Sequence, residues 1–386
     1  MALVDTGLSG RLNPDNNLPF PKIEKPYILG CFSINTNRDF ISSGENFRYF
    51  RMPHKFPLDL NIGYGLAKSK QETMQEERLD NLVQFIHYHQ DELLSKPDMS
   101  STKGVGDFDF ICFRGLLRLL MCTPYESRED WCIHATRYKG NIYMSQKETD
   151  QKRHERYNQT ENQKKFCSYG FKFEQYCMTP DPSEEPNTNI PVDECEEFCC
   201  MYKTKIQGME ILFAAEVDGA ISNTVAQNVE SREELNSLKL VELKCSLRPA
   251  NERQQQNFYR FKCRNWWCQS FLVGIQDLMV GYRNDKGLVD EIKHMEVRSL
   301  PKQASNYWAP SQCADFLVKF LQMVKNTMKD VNCPHTVYEF YFDPRSKMIG
   351  YRIYRGKSLH TLLPDWYVTM LQQRSSFGLT RTVSNV

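Results

Sequence analysis

The chain of 386 residues carries 49 Lys and Arg and 48 Asp and Glu, which gives a formal net charge of +1. Hydrophobic residues make up 40% and charged residues 25%, the proportions of a globular protein. A charge so close to zero excludes recognition of nucleic acid through a global basic field, so such binding needs a local groove. No apolar run reaches membrane-spanning length and no secretory signal opens the sequence, so we expect no contact with a membrane.

The fourteen cysteines follow no regular spacing, and none forms a C-x-x-C pair. Most have apolar neighbours, as at Cys112, Cys263 and Cys268. This pattern favours reduced, buried cysteines over disulfides or zinc ligands. It predicts a nuclear or cytoplasmic protein in a reducing compartment.

The N-terminal part begins with a polar, proline-rich stretch. Residues 1–28 contain four prolines and several asparagines and are predicted to form an extended or disordered arm. A short apolar strand is predicted at residues 30–34. Apolar residues recur at helical spacing in residues 76–94, which predicts an amphipathic helix.

A second, heavily apolar helix is predicted over residues 108–121. Arg114 and Arg118 lie four residues apart and share one face of this helix. A buried guanidinium needs an anionic partner. An internal salt bridge and a bound anionic ligand both meet that need, and the spacing alone does not choose between them.

The middle of the chain alternates between strand patterns and polar segments. Residues 131–137 and 141–144 predict a hairpin around Gly140. Residues 145–165 are nearly all polar and predict a solvated helix or a mobile excursion.

A second alternating pattern follows in residues 166–176, where aromatic residues occupy one face and Lys172 and Glu174 the other. This alternation is typical of a strand. The acidic, proline-containing residues 181–197 predict a loop.

Two apolar runs lead into pairs of charged residues. The first run ends in Glu216 and Asp218, and the second contains Glu242 and Lys244. Strand alternation puts each pair on one face, so pairing of the strands would bring three carboxylates and an ammonium together. Converging carboxylates are costly unless they bind a hard divalent cation, and such cations clamp phosphates and activate water in nucleases. The alternative is that Glu-x-Lys is a common strand pattern and that the first two acids merely end a strand.

Between these runs, residues 222–239 are polar and lack apolar periodicity. They are predicted to form a surface loop. Because the length of a surface loop has only a small entropic cost, we expect deletion of much of the segment to be tolerated if a short turn rejoins the two strands.

Residues 251–271 predict a helix in which basic and aromatic residues interleave. Grooves for single-stranded nucleic acid show this pattern, and so do ordinary amphipathic helices with tryptophans in the core. The remaining elements are a hairpin of residues 278–283 and 288–297, a helix of residues 313–328, a strand pair of residues 336–342 and 348–354, and a short apolar segment of residues 366–371.

No linker interrupts residues 29–372. The sequence therefore predicts a single α/β domain with two β-sheets, mixed and antiparallel, flanked by helices. Residues 373–386 are predicted to form a polar tail.

Seven short motifs occur in one order along the chain. They are GCFS at 30–33, FRG at 113–115, TPYE at 123–126, GFKFEQY at 170–176, EVD at 216–218, VELK at 241–244 and WWCQSF at 266–271. Together they resemble the DXO family of RNA decapping exoribonucleases, animal relatives of the fungal partner of the nuclear 5′-3′ exoribonuclease. The resemblance covers residues 28–371 and implies a core like that of the PD-(D/E)xK nucleases.

The resemblance also implies the roles of individual residues. The implied catalytic set is Glu174, Glu216, Asp218, Glu242, Lys244 and Gln269. The four acids and the main-chain carbonyl of Leu243 would hold two divalent cations, Mg²⁺ or Mn²⁺. The implied substrate-binding set is Arg38, Glu77, Phe113, Arg114, Gly115, Cys167, Glu216, Lys244 and Gln269.

Two positions depart from the family pattern. Phe113 stands where the family more often has Trp and keeps the aromatic character. Cys167 stands where another side chain is expected, so its contact would be through the main chain.

The implied function is a metal-dependent hydrolase of RNA 5′ ends. It would remove incomplete or atypical caps, including NAD, and degrade the RNA from 5′ to 3′. Its substrates would be single-stranded RNAs with a capped, NAD-capped, triphosphate or monophosphate 5′ end, and it would act as a monomer, with a nuclear 5′-3′ exoribonuclease as a further partner. The alternatives are a protein that binds RNA 5′ ends or stabilises a partner nuclease without cleaving, and a DNA nuclease with a related core.

Overall fold

The computed structural model describes residues 18–70, 77–95 and 103–381, with side chains described as far as residue 373. Sixteen strands lie in these ranges. In chain order they are β1 Tyr27–Ile34, β2 Phe40–Ile41, β3 Tyr49–Phe50, β4 Leu58–Asp59, β5 Phe110–Phe113, β6 Trp131–Tyr138, β7 Asn141–Lys147, β8 Met178–Thr179, β9 Glu197–Ile206, β10 Met209–Glu216, β11 Gly219–Ala220, β12 Leu240–Leu247, β13 Asp277–Arg283, β14 Leu288–Glu296, β15 Val337–Asp343 and β16 Met348–Tyr354.

Helices connect and cover these strands. Those in the described ranges are α1 Asp80–Tyr88, α2 Gln90–Leu93, α3 Arg114–Cys122, α4 Asp150–Tyr157, α5 Glu161–Cys177, α6 Arg232–Ser237, α7 Glu252–Asn257, α8 Arg264–Val273, α9 Leu300–Gln303, α10 Pro310–Thr327 and α11 Asp365–Arg381. A π-helical turn, Phe258–Cys263, joins α7 to α8, and short 3-10 turns occur at Tyr64–Leu66, Thr123–Tyr125 and Val297–Ser299.

The strands form two sheets. Among the described residues, the large sheet has nine strands in the order β16-β15-β6-β7-β5-β10-β9-β1-β2, and the small sheet has seven in the order β4-β14-β13-β12-β11-β3-β8. Parallel pairs occur in both, β5 with β10 and with β7 in the large sheet and β12 with β13 in the small one. The predicted α/β fold with two sheets flanked by helices is confirmed, and both sheets are mixed.

Tight turns fix the register of two hairpins in the large sheet. Lys139 and Gly140 between β6 and β7 have φ values of 48° and 77°, and Gln207 and Gly208 between β9 and β10 have 46° and 79°. Two consecutive residues with positive φ match the twist of antiparallel strands. The hairpin predicted around Gly140 is therefore confirmed.

Three apolar cores separate the layers. The main core joins one face of each sheet to α3, α8 and α10, as Phe213 and Val280 illustrate. A second core packs α1 and α11 on the other face of the large sheet, and a third packs α5 on the other face of the small sheet. Because successive residues of a strand face opposite ways, Leu243 lies in the third core while Glu242 faces away from it.

Two predicted elements are wrong in type. Residues 110–113, expected to open a helix, form β5, because this apolar run pairs with β10 on one side and β7 on the other. Residues 166–176, expected to form a strand, belong to α5, whose N-terminus is closed by a capping box between Thr160 and Gln163. Short apolar runs and aromatic alternation do not separate strand from helix by themselves.

Other predicted elements are confirmed with changed limits. The helix predicted at residues 76–94 begins at Asp80 and breaks at His89, and the polar segment 145–165 contains the end of β7, all of α4 and the start of α5. Trp266 and Trp267 are buried in the main core, so the ordinary explanation of the interleaved helix is confirmed.

The predicted arm and tail fall partly outside the described residues. The predicted arm falls mainly on residues 1–17, which lie outside the described residues, and β1 begins at Tyr27. Helix α11 continues to Arg381, into the predicted tail, and residues 382–386 lie outside the described part. No helix in the described ranges is long and apolar enough to cross a membrane. All fourteen cysteines lie in those ranges, and no disulfide joins any two of them there.

Candidate active site

The first pair of acids lies where the chain passes from one sheet to the other. Glu216 ends β10 of the large sheet, and three residues later Gly219 pairs with Val241 of β12 in the small sheet. The sequence left open whether the two motif strands pair directly, and they lie in different sheets. The acids meet because β11 carries the chain across, and this crossing places Asp218 beside Leu243.

Two further elements bring side chains to this junction. Phe113 ends β5 opposite Ala214 of β10, so Arg114 at the start of α3 lies close to the end of β10. Helix α5 crosses the small sheet at Gly281, where an added Cβ would lie 2.4 Å from the Phe173 ring. That close crossing carries Glu174 to the site.

The acids Glu174, Glu216 and Asp218 line one cavity of about 410 Å³. Its other walls come mainly from the segment between α5 and β9, which includes Asn187 and Ile190, and from Asn46 and Arg48 just before β3. The cavity is large enough for a small organic ligand.

Glu242 is buried and is held by three donors. Lys244 Nζ lies 2.5 Å and Gln269 Nε2 lies 2.7 Å from its Oε1, and the Arg114 guanidinium lies 3.4 Å from its Oε2. Burial would raise the pKa of Glu242, but Lys244 and Arg114 outweigh it and lower the pKa. Glu242 is therefore the ionised carboxylate of the site.

The pKa values of the other three carboxylates are shifted in the opposite direction, upward. Burial, and then the Glu242 charge, raise the pKa of Asp218 to about 8, although the N–H of Leu243 donates to its Oδ2 at 2.6 Å. Burial and Asp218 also raise the pKa of Glu174 well above its ordinary value. Glu216 is exposed to the cavity, and restricted hydration followed by the charge of Glu197 raises its pKa to about 7. Such crowding favours a bound cation, which would allow all of these groups to ionise.

The donor set fits hard divalent cations. It offers carboxylate oxygens and the Leu243 carbonyl, and no sulfur or imidazole, which favours Mg²⁺ or Mn²⁺ over zinc. No three of these carboxylates in the described residues bring oxygens within 4.8 Å of one another. Cation binding would therefore draw the acids closer together.

Comparison with known proteins identifies the family of the chain. The model of the RAI1-like PD-(D/E)XK nuclease family matches residues 24–368. The chain belongs to this family.

Relatives in the family align over nearly the whole chain. The decapping and exoribonuclease protein Rai1 of Drosophila melanogaster is 37% identical over 361 residues, 93% of this chain and 94% of the relative. The human decapping and exoribonuclease protein is 29% identical over 368 residues, covering 92% and 87%. The crystal structure of Candida albicans Rai1 has the same fold, with a TM-score of 0.77, 18% identity and coverage of 93% and 98%.

The RAI1-like fold also places a charged network beside the acids. Arg38 pairs with Glu77 at 2.6 Å and with Glu197 at 2.8 Å, and Lys70 pairs with the same Glu197 oxygen. Burial would lower the pKa of Lys70, but Glu197 and then Glu216 raise it. Arg38 and Glu77 therefore lie at the edge of the site, connected to Glu216 through Lys70 and Glu197.

Sequence reasoning missed three residues of this region, Lys70, Glu197 and Cys199. Cys199 lies opposite Glu216 in the β9–β10 register and is buried. Glu197 begins β9, at the end of a stretch predicted to be a loop. No local pattern identifies these residues, because the pairing of β9 with β10 brings Glu197 and Cys199 to the site, and Lys70 joins it through its ion pair with Glu197.

Three predicted substrate-binding residues do not line the cavity that contains the acids. Phe113 packs against the second core, and Gly115 has open space where a Cβ would point. Cys167 lies two turns before Glu174 on α5, is exposed, and lines a separate cavity with Tyr64 and Lys164. The structure therefore does not bring Cys167 into the cavity lined by the acids.

Proposed function

We propose that the chain is a metal-dependent hydrolase that removes incomplete or atypical caps, including NAD, from RNA 5′ ends and degrades the RNA from 5′ to 3′. Membership of a family of decapping and exoribonuclease proteins supports the broader part of this proposal. The observation that carries it is Glu242, ionised and fixed by Arg114, Lys244 and Gln269 among three further carboxylates.

The residues have distinct roles in the proposed reaction. Glu174, Glu216, Asp218, Glu242 and the Leu243 carbonyl would hold two Mg²⁺ or Mn²⁺ ions. When bound, such ions activate water and stabilise the leaving oxygen of an in-line displacement.

The cationic side chains act on the phosphate and the water. Lys244 would orient the water or neutralise the scissile phosphate, and Gln269 would position either. The Arg114 fork would grip a phosphate in a bidentate manner. Arg38, Glu77 and Lys70 would contact the substrate at the edge of the site.

Solved relatives bind matching ligands. The structure of Candida albicans Rai1 is a complex with pU5 and Mn²⁺, and that of Scheffersomyces stipitis Rai1 contains (3′-NADP)⁺ and a calcium ion. These ligands support a single-stranded RNA and a dinucleotide as substrates of this chain. The monomeric state, the partner exoribonuclease and the nuclear or cytoplasmic location stay predictions from the sequence.

The test uses purified protein and RNAs that differ only in the 5′ group, namely NAD, an incomplete cap, triphosphate or monophosphate. We expect removal of the 5′ group and release of mononucleotides in Mg²⁺ or Mn²⁺, and neither in chelator. The matched control is the double variant Glu216→Ala with Asp218→Ala, which should lose both activities. Because it loses crowded carboxylates, its metal-free stability should be unchanged or higher. RNA binding by the wild-type chain without hydrolysis would contradict the proposal and indicate a binding protein.

A further inference from the structure

A second cluster of chemically active side chains lies on the large sheet, away from the carboxylates. Cys132 and His134 are two residues apart on β6 and point to the same face. Glu339 of β15 is paired directly opposite His134. All three are buried, and they belong to the face opposite the main core, since the intervening Ile133 lies in that core.

The distances in this cluster fit one metal ion. A sulfur, a ring nitrogen and a carboxylate oxygen, one from each residue, all lie within 4.8 Å of one another. His134 Nε2 and Glu339 Oε2 are 3.1 Å apart. In a tetrahedral zinc site with bonds of about 2.0–2.3 Å, neighbouring ligand atoms are about 3.3–3.8 Å apart. Small side-chain adjustments therefore suffice, because strand pairing already fixes the three Cβ positions.

Outer groups hold the carboxylate in place. The Tyr354 hydroxyl donates to Glu339 Oε1 at 3.3 Å, and Arg352 lies 3.7 Å from the same oxygen. Glu339 Oε2 thus faces His134 while Oε1 is occupied. Metal-binding carboxylates in proteins are typically oriented by such second contacts.

One side of the cluster opens to a cavity of about 890 Å³, whose lining includes Cys132, Glu339, Tyr354 and His360. Three protein ligands with an accessible fourth position characterise zinc sites that bind an exchangeable water or ligand. We propose that Cys132, His134 and Glu339 bind one divalent transition-metal ion, Zn²⁺ by ligand preference, with its fourth position open to this cavity.

The donor chemistry separates this site from the active site. Thiolate and imidazole select zinc-class ions, whereas the oxygen donors around Glu242 select Mg²⁺ or Mn²⁺. A thiolate and a carboxylate together balance the charge of the ion. Binding replaces the Cys132 thiol proton, so a chain with neutral His134 releases one proton to solvent for each ion bound. The irregular spacing of the cysteines gave no sign of this site, because Glu339 is 205 residues from His134 and joins it only through β-pairing.

The test is a titration of the full chain, freed of metal, with Co²⁺. A Cys ligand produces a near-ultraviolet thiolate-to-cobalt charge-transfer band, which oxygen ligands at the active site do not. We expect this band at one Co²⁺ per chain, displaced by Zn²⁺ and unaffected by excess Mg²⁺. Absence of the band in the wild-type chain would overturn the proposal without any variant.

Variants assign the band to this cluster. Cys132→Ser should abolish it, and Glu339→Gln should lower Zn²⁺ affinity at least about tenfold. Cys333→Ser, a partly exposed cysteine outside the cavity, is the matched control and should keep the band. The double variant Glu216→Gln with Asp218→Asn should keep it too. A band that persists in Cys132→Ser would place the ion at another cysteine and refute the assignment.

Discussion

Lys244 serves as the counter-ion of Glu242 in the metal-free site. Burial would lower the pKa of Lys244, but Glu242 and then Asp218 raise it, so the side chain is cationic. In the proposed reaction, Lys244 would orient the attacking water or neutralise the scissile phosphate.

Replacing Lys244 should accordingly affect turnover more than binding. We expect Lys244→Ala to lower kcat by about 10²–10³-fold, the range for loss of one preorganised transition-state donor, while the Kd for RNA changes by less than about threefold. Single-turnover kinetics and equilibrium binding in Ca²⁺ measure the two effects. Lys286→Ala, an exposed lysine in the β13–β14 turn, controls for loss of charge. Equal losses in binding and turnover would show that Lys244 is an electrostatic anchor.

The raised pKa of Asp218 predicts how the stability of the metal-free chain depends on pH. Its pKa is about 8 in the folded chain against 3.8 for an ordinary aspartate. Between these values the folded state binds more protons than the unfolded state, so the free energy of unfolding falls as pH rises from about 4 to about 8. Asp218→Asn removes this group, while its amide oxygen still accepts from the Leu243 N–H.

Thermal unfolding in chelator at about pH 5 and about pH 8 measures this effect. The Tm of Asp218→Asn should exceed that of the wild-type chain by a larger margin at the higher pH. Excess Mg²⁺ should raise the wild-type Tm at that pH and change the variant less. A margin that does not vary with pH would contradict the raised pKa.

At the scale of elements, α6 changes the interpretation of residues 222–239. This segment, expected to be a dispensable loop, supports the outer edge of β1. Asn236 bonds both main-chain groups of Ile28 at 2.9 Å, and the Arg232 guanidinium donates to the Leu29 carbonyl at 2.5 Å. These bonds occupy part of β1 that β2 does not reach. The expectation that the segment does not pack on the domain is wrong.

Leu235 provides the test of this support. Its side chain is fully buried in the main core. We expect Leu235→Ala to lower the free energy of unfolding by about 2–5 kcal/mol, measured by urea denaturation. Val225→Ala, at an exposed position of the same segment, is the matched control and should be nearly neutral. Equal stability of the two variants would restore the view of a loosely attached loop.

The sequence predicts the site better than it predicts the connections between elements. Charged residues at alternate positions on strands are recognisable locally, so the pattern identifies Glu216, Asp218, Glu242 and Lys244. The α5 helix is not, because its buried residues include the adjacent pairs Ser168 and Tyr169, and Lys172 and Phe173, which no strand face explains. Contributions from β9 are also invisible in the sequence, since they depend on which strands become neighbours.

At the scale of the whole molecule, the junction of the two sheets determines how RNA reaches the carboxylates. Strand ends, α5 and residues 180–197 surround the cavity, and Arg114 is buried beside Glu242. Walls on several sides admit a single-stranded end more readily than a duplex. The net charge of +1 agrees, because a long RNA track would require a basic stripe.

This enclosure predicts that the 5′ terminus decides entry. Arg114, Lys244, Gln269 and bound cations would contact the scissile phosphate and not a base, so cleavage should be largely independent of sequence. The test compares a covalently closed RNA circle with its linear 5′-monophosphate counterpart in Mg²⁺ or Mn²⁺. The linear RNA should be degraded and the circle spared, and the double variant Glu216→Ala with Asp218→Ala should spare both. The circle has the same phosphates and bases but no end to insert, so its rapid cleavage by the wild-type chain would show an open cleft that cuts internally.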